Sequence, residues 1–207
     1  MELEEISHPK WVAGESGAWV HVKGIRRTKA IAEKDMIRKC TQRDLSVIDA
    51  IINEAAQAYQ GVIPEDRWHE PYMPIDELEH EIGDGVEFWG YEEAGGLVGV
   101  MGLQNKGDLY LIRHAYVRKS HQTHGIGTKL LRHLEQMTDK PILIGTWADV
   151  PWAIQFYQKN GYRLLSRPDT ERLLKKYWRI PERQVATSVV LANSRWQGGT
   201  LPGDGRV

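Results

Sequence analysis

Near residue 85 the hydrophobic period of this chain switches from that of a helix to that of a strand. Before the switch, Ile48, Ile51, Ile52, Ala55 and Tyr59 recur at helical spacing, and Gly61 ends the run. A shorter helix, "PIDELEHEI", places Ile75, Leu78 and Ile82 inward and stops at Gly83. After the switch, "VEFWGYEE" and "LVGVMGLQ" flank the turn "AGG" and read as a hairpin. "NKGD" turns the chain into a longer strand, "LYLIRHAYV".

From there helices and strands alternate. Ile126, Leu130, Leu131 and Leu134 mark one helix face, and "PILIGTW" reads as a buried strand. Pro151 opens the helix "PWAIQFYQKN", which Gly161 stops. "YRLL" predicts a strand, "DTERLLKKYW" a helix and "QVATSVVLA" a last strand; "MIRKC", beginning at Met36, predicts the first. A meander leading into strand–helix–strand crossovers implies an α/β (α+β) fold, a mixed, mostly antiparallel sheet covered by helices.

The 207 residues suit one domain of ordinary size. Residues 1–35 are polar without sustained periodicity and are expected to be a poorly ordered extension. The domain is expected over 36–191, with a flexible Gly-rich tail over 192–207. The net charge of -1 gives no global pull toward nucleic acid or membrane. The chain has no apolar run of membrane-spanning length, and its start has neither the basic nor the apolar region of a secretory signal. Its single cysteine, Cys40, cannot form an intrachain disulfide, which fits a cytoplasmic location.

The chemistry concentrates in "VRKSHQTHGIGTKLL", where a strand ends at Val117 and a helix begins after two glycines. A helix start leaves backbone N–H groups unpaired, and with the helix dipole they attract anions. Gly125 and Gly127 lack the Cβ atoms that would hold a phosphate off the backbone, and Arg118, Lys119, Lys129 and Arg132 add positive charge. The dinucleotide fingerprint G-x-G-x-x-G and the P-loop both fail on spacing. A turn that merely needs glycine explains the spacing equally well. His121 and His124 enter a turn with no cysteine or carboxylate to complete a set, so no metal site is expected. Cys40 is expected to be a small buried hydrophobe rather than a nucleophile.

That segment resembles the acetyl-CoA signature of the GNAT superfamily of N-acetyltransferases, Q/R-x-x-G-x-G/A, through Gln122, Gly125 and Gly127. "AIQFYQKNGYRLL" resembles the family's second hallmark through Ala153, Phe156, Tyr157, Gly161 and Tyr162. The two are in the family's order, one strand apart. Val150 stands where members often carry Asn, and Lys119 where proline is common.

The resemblance implies an acyl-CoA N-acyltransferase-like fold, acetyl-CoA as co-substrate, and acetyl transfer to a primary amine by direct attack in a ternary complex. By the same resemblance, the diphosphate would lie on Gln122, Thr123, His124, Gly125, Ile126, Gly127 and Thr128. Tyr116 and Val117 would pair with the pantetheine arm, and Tyr157 would protonate the leaving thiolate.

An amine with the pKa of lysine is neutral in only about one part in a thousand at pH 7, so a base is needed. Glu70, His114, His69 and Asp149 are the candidates. Glu70 is preferred, because its acidic loop would attract a cation. The expected partner is a small-molecule or protein amine, with no nucleic acid and no membrane; a homodimer is left open. The alternative from another class is a non-catalytic acyl-CoA-binding sensor.

Overall fold

The computed structural model describes residues 11–13, 19–21, 36–178 and 180–198. Within the N-terminal unit, β1 (Trp11–Ala13) and β2 (Trp19–His21) form a two-stranded antiparallel ladder, with Val12 opposite Val20. The rest of the expected extension lies outside the described residues.

The second unit begins with β3 (Met36–Lys39), then α1 (Leu45–Ala56) and α2 (Ile75–Gly83). The strands β4 (Val86–Glu93), β5 (Gly96–Asn105) and β6 (Tyr110–Val117) follow. After them come α3 (Ile126–Glu135), β7 (Ile142–Trp147), α4 (Pro151–Lys159) and β8 (Arg163–Leu164). The unit ends with α5 (Arg167–Tyr177), α6 (Glu182–Ala186) and β9 (Ser188–Ala192). The sheet order is β3-β4-β5-β6-β7-β9-β8, and only β6 and β7 run parallel. This is the mixed, mostly antiparallel sheet that the sequence predicts.

Helices cover both faces, and strand alternation decides which side chain meets which helix. On β5, Val100 joins the cluster of Ile48, Ile51, Ile52 and Leu78 from α1 and α2. Its neighbours Met101 and Leu103 join Ile126, Leu130, Leu131 and Leu134 of α3. Leu173 and Leu174 of α5 pack on Leu111, Leu143 and Val190. All four residues that the sequence places inward on α3 are buried.

Three expectations need correction. Ile75, expected inward on α2, is 47% exposed, because it sits at the first position of the helix, beyond the edge of the core. The stretch "QVAT" is not strand: α6 occupies Glu182–Ala186 and only Ser188–Ala192 pairs with β7. The C-terminal residues 193–198 are not a loose tail. Trp196 is buried, the Asn193 side chain accepts from the Ile142 amide, and Arg195 donates to the carbonyls of Glu135 and Thr138. Residues 199–207 lie outside the described residues. Among the described residues no helix is long and apolar enough to cross a membrane.

Candidate active site

The site begins with an interruption in β6. Val100 of β5 stands opposite Tyr116, but Gly102 stands opposite Arg113, so His114 and Ala115 share Met101 as a partner. This is a β-bulge, and His114 takes a positive φ of 48° to make it. The bulge shifts the alternation of side chains. Ile112 faces the α3 side before it; Ala115 and Val117 face that side after it, while Tyr116 turns to the α1 side.

A bulge bends its strand and increases the local twist. The parallel pairing of β6 with β7 covers only Tyr110–Ile112 against Ile142–Ile144. Beyond it a cavity of about 360 Å³ opens, lined by His114 to Val117 on one side and Gly145 to Trp147 on the other. The Arg118 amide donates to the Val98 carbonyl at 2.8 Å. By antiparallel alternation, the N–H and C=O of Val117 then turn away from β5, toward the gap. The edge of β6 is open there for an added extended chain.

The glycine turn stands at the end of that edge. Gly125 has a φ of 77°, and a Cβ on it would meet nothing within 4 Å. The amides of Ile126, Gly127 and Thr128 make no hydrogen bond among the described residues, as the first turn of a helix requires. Gly127 has another reason to be glycine. A Cβ there would stand 3.2 Å from the Phe156 ring, so this residue lets α3 approach α4 rather than baring the backbone to a ligand.

The neighbouring cations are largely committed within the protein. Arg118 pairs with Glu54, whose other oxygen accepts from the Lys119 amide. Lys129 donates to the Tyr91 hydroxyl and lies over its ring, and Arg132 pairs with Glu135. Gln122 spends its side-chain amide on the Val117 carbonyl at 3.1 Å. Thr123 and His124 are exposed, and Thr123 takes a φ of 69°.

Tyr157 lines the cavity. It is 6% exposed, and its ring meets Phe156 and Tyr162 edge-on. Burial, and secondarily the charge of Tyr59, pushes its hydroxyl well above the ordinary tyrosine range. The phenol therefore keeps its proton at neutral pH. Tyr59, Tyr72, Trp147 and Trp152 also line this space, with Tyr59 stacked on Trp152 and the Trp147 indole donating to the Tyr72 hydroxyl.

The other candidates for the base scatter. Glu70 is exposed and lies outside the residues that line the cavity. His69 and Asp149 are exposed as well. His114 alone of the four lines the cavity, and it also lines a second cavity beyond it, bounded by Glu77, Glu81, Gln104 and Tyr177. Its Nε2 meets Glu81, a residue that sequence reasoning missed because it sits on a helix far away in the chain. Glu81 also accepts from Arg113. Burial raises the Glu81 carboxyl, but the His114 hydrogen bond and the charges of His114 and Arg113 outweigh it, and the group is held below the ordinary range. Cys40, in contrast, is half-buried, and burial first, then Asp44, pushes its thiol up to about 12. Among the described residues no group of three or more His, Cys, Asp or Glu could hold a metal ion.

Residues 84–164 match a family profile described as an acetyltransferase (GNAT) domain. Over that span the chain is similar to GNAT acetyltransferases. Solved structures agree at the level of the fold. A PaiA N-acetyltransferase from Thermoplasma acidophilum, in complex with coenzyme A, is 18% identical with a TM-score of 0.60, over 77% of this chain and 98% of that one. A GNAT-family acetyltransferase from Staphylococcus aureus is 19% identical with a TM-score of 0.58, over 79% and 100%. N-acetylglutamate synthase from Neisseria gonorrhoeae, complexed with coenzyme A and N-acetyl-glutamate, is 20% identical with a TM-score of 0.55, over 77% and 35%. No curated protein sequence matches the chain. The matched span contains the bulge, the open edge, the glycine turn and Tyr157.

The two glycines should fail differently. Gly127→Ala brings about 1 kcal/mol of helix propensity but sets a Cβ 3.2 Å from the Phe156 ring, so it should stabilise the ligand-free domain by less than that amount or destabilise it, measured by urea unfolding. The full gain in stability would show that Phe156 does not crowd this position.

Proposed function

We propose that this chain transfers an acetyl group from acetyl-CoA to a primary amine by direct attack in a ternary complex. The observation that carries this reading is the open edge of β6 leading to unpaired amides at the start of α3. An extended polar arm needs the first and a diphosphate needs the second. The open space at Gly125 fits that group, since nothing crowds the approach to the backbone.

Ile126, Gly127 and Thr128 would hold the diphosphate through their N–H groups, beside Gln122, Thr123, His124 and Gly125 of the turn. Tyr116 and Val117 would supply the strand edge. Acetyl-CoA supplies the activated acyl carbon, as a thioester. The Val117 N–H faces the gap, where it would stabilise negative charge developing on the thioester oxygen. Tyr157, which keeps its proton at neutral pH, would give it to the departing thiolate. The structure with coenzyme A from Thermoplasma acidophilum supports the choice of donor.

A sensor that binds acyl-CoA without turnover would need the amides but not a protonated phenol in the gap. Two variants separate these readings. Gly125→Asp keeps a residue type that tolerates positive φ and puts a negative charge at the amides. It should leave the free chain folded while acetyl-CoA no longer raises its Tm; a full Tm shift would place the donor elsewhere. Tyr157→Phe should lower kcat about 10²-fold with little change in the Kd for acetyl-CoA, as read by thiol release. An unaltered kcat would remove Tyr157 from the chemistry.

A further inference from the structure

We infer that His114 is the general base of the transfer reaction and that Glu81 is the residue that positions it. This inference rests on the acetyl-transfer reading above. Three independent observations converge on it. His114 occupies the strained position of the bulge, where a non-glycine residue at φ 48° persists only because its surroundings hold it. Its side chain is 12% exposed and stands on the shared wall of the two cavities, one carrying Tyr157 and the β6 edge, the other bounded by α2. Its ring is held by Glu81 at Nε2 and stacks on Phe88 with ring centroids 5.9 Å apart.

The hydrogen bond selects the tautomer. Glu81 is a carboxylate and can only accept, so Nε2 carries a proton in either state of the ring, and whenever the ring is neutral its lone pair is on Nδ1. No hydrogen bond among the described residues uses Nδ1. A carboxylate behind one nitrogen and a free lone pair on the other is the arrangement of an oriented base. Arg113 and Gln104 complete the support: Arg113 donates to both Glu81 and Gln104, which fixes the carboxylate that fixes the imidazole. The bulge has a role in this as well. It turns Arg113 and His114 to the same carboxylate, whereas an unbroken strand would send consecutive side chains to opposite faces.

In the step, an ammonium acceptor entering from the α2 side gives a proton to Nδ1. The freed nitrogen lone pair forms the C–N bond at the thioester carbon. The C–S bond breaks, the thiolate takes its proton from Tyr157, the second amine proton restores Tyr157, and the imidazolium of His114 returns its proton to solvent. No further reactant is needed.

The test uses His114→Asn, since Asn accepts the left-handed backbone but offers no basic nitrogen. The probe amine is whichever of ethylamine, lysine methyl ester and spermidine the wild type acetylates fastest. The comparison nucleophile is hydroxylamine, whose nitrogen is already neutral at neutral pH. Expected is a loss of about 10²-fold or more in kcat/KM with the amine, less than tenfold with hydroxylamine, and an unchanged Tm shift with acetyl-CoA. Retained amine transfer, or equal losses with both nucleophiles, would overturn the assignment. Glu81→Gln should lower kcat with little effect on KM, and should cost nothing further in a chain that already carries His114→Asn. Additive losses would make Glu81 merely structural. Wild-type chain that gains no stability from acetyl-CoA would instead overturn the donor reading, which separates the two failures.

Discussion

Strands β6 and β7 stay in register for three residues and then part, and the site is built in the space they leave. The parting follows from a single extra residue. At the bulge, two positions of β6 answer to Met101, the strand bends, and the partner that parallel pairing would supply is lost. A buried strand edge without a partner is costly, because each N–H and C=O left without a hydrogen bond forfeits about 1–3 kcal/mol. Such an edge is tolerated when it faces a cavity that water or an extended ligand can fill. The same extra residue reorients the side chains beyond it, so that Tyr116 reaches the aromatic group near Tyr59 and Tyr72 while Ala115 and Val117 face α3. Geometry and chemistry thus share one cause.

The charge around the start of α3 is balanced differently than the sequence suggests. Its charged residues are numerous, but Arg118 and Arg132 are neutralised by Glu54 and Glu135, and Lys129 is engaged by Tyr91. What remains uncommitted is the backbone: three amides of α3, aligned by the helix and needing no side-chain entropy to reach a ligand. The side chains instead hold the turn. Gln122 ties it to Val117, and Glu54 ties Arg118 and Lys119 to α1, which keeps the positive-φ backbone of Thr123 and Gly125 in place.

Much of the fold was readable in the sequence, for identifiable reasons. Local periodicity survives folding wherever a face is buried along its whole length, which is why α1, α3 and the β4–β5 hairpin stand where the pattern places them. Ile75 misleads because a helix's first turn can reach past the core. "QVAT" misleads because β-branched residues near a chain's last strand carry strand propensity, yet Val185 buries itself equally well from α6. The helix start after Gly125 and the helix that carries Tyr157 were readable because both follow from local sequence patterns. Glu81 was not. It belongs to an acidic helix whose solvated charges look alike, and only tertiary contact across 33 residues distinguishes it from its neighbours. Nor does alternation in "LYLIRHAYV" reveal that His114 sits in a bulge, since a bulge is made by the register with β5 rather than by the residues of β6 alone.

A structure of the chain with coenzyme A bears most directly on whether the parted strands and the α3 amides form one donor site. The account predicts diphosphate oxygens within hydrogen-bond distance of the Ile126, Gly127 and Thr128 amides, and the pantetheine amides paired with β6 along 115–117. A diphosphate bound away from α3, or β6 and β7 joined along their full length around the ligand, would contradict it.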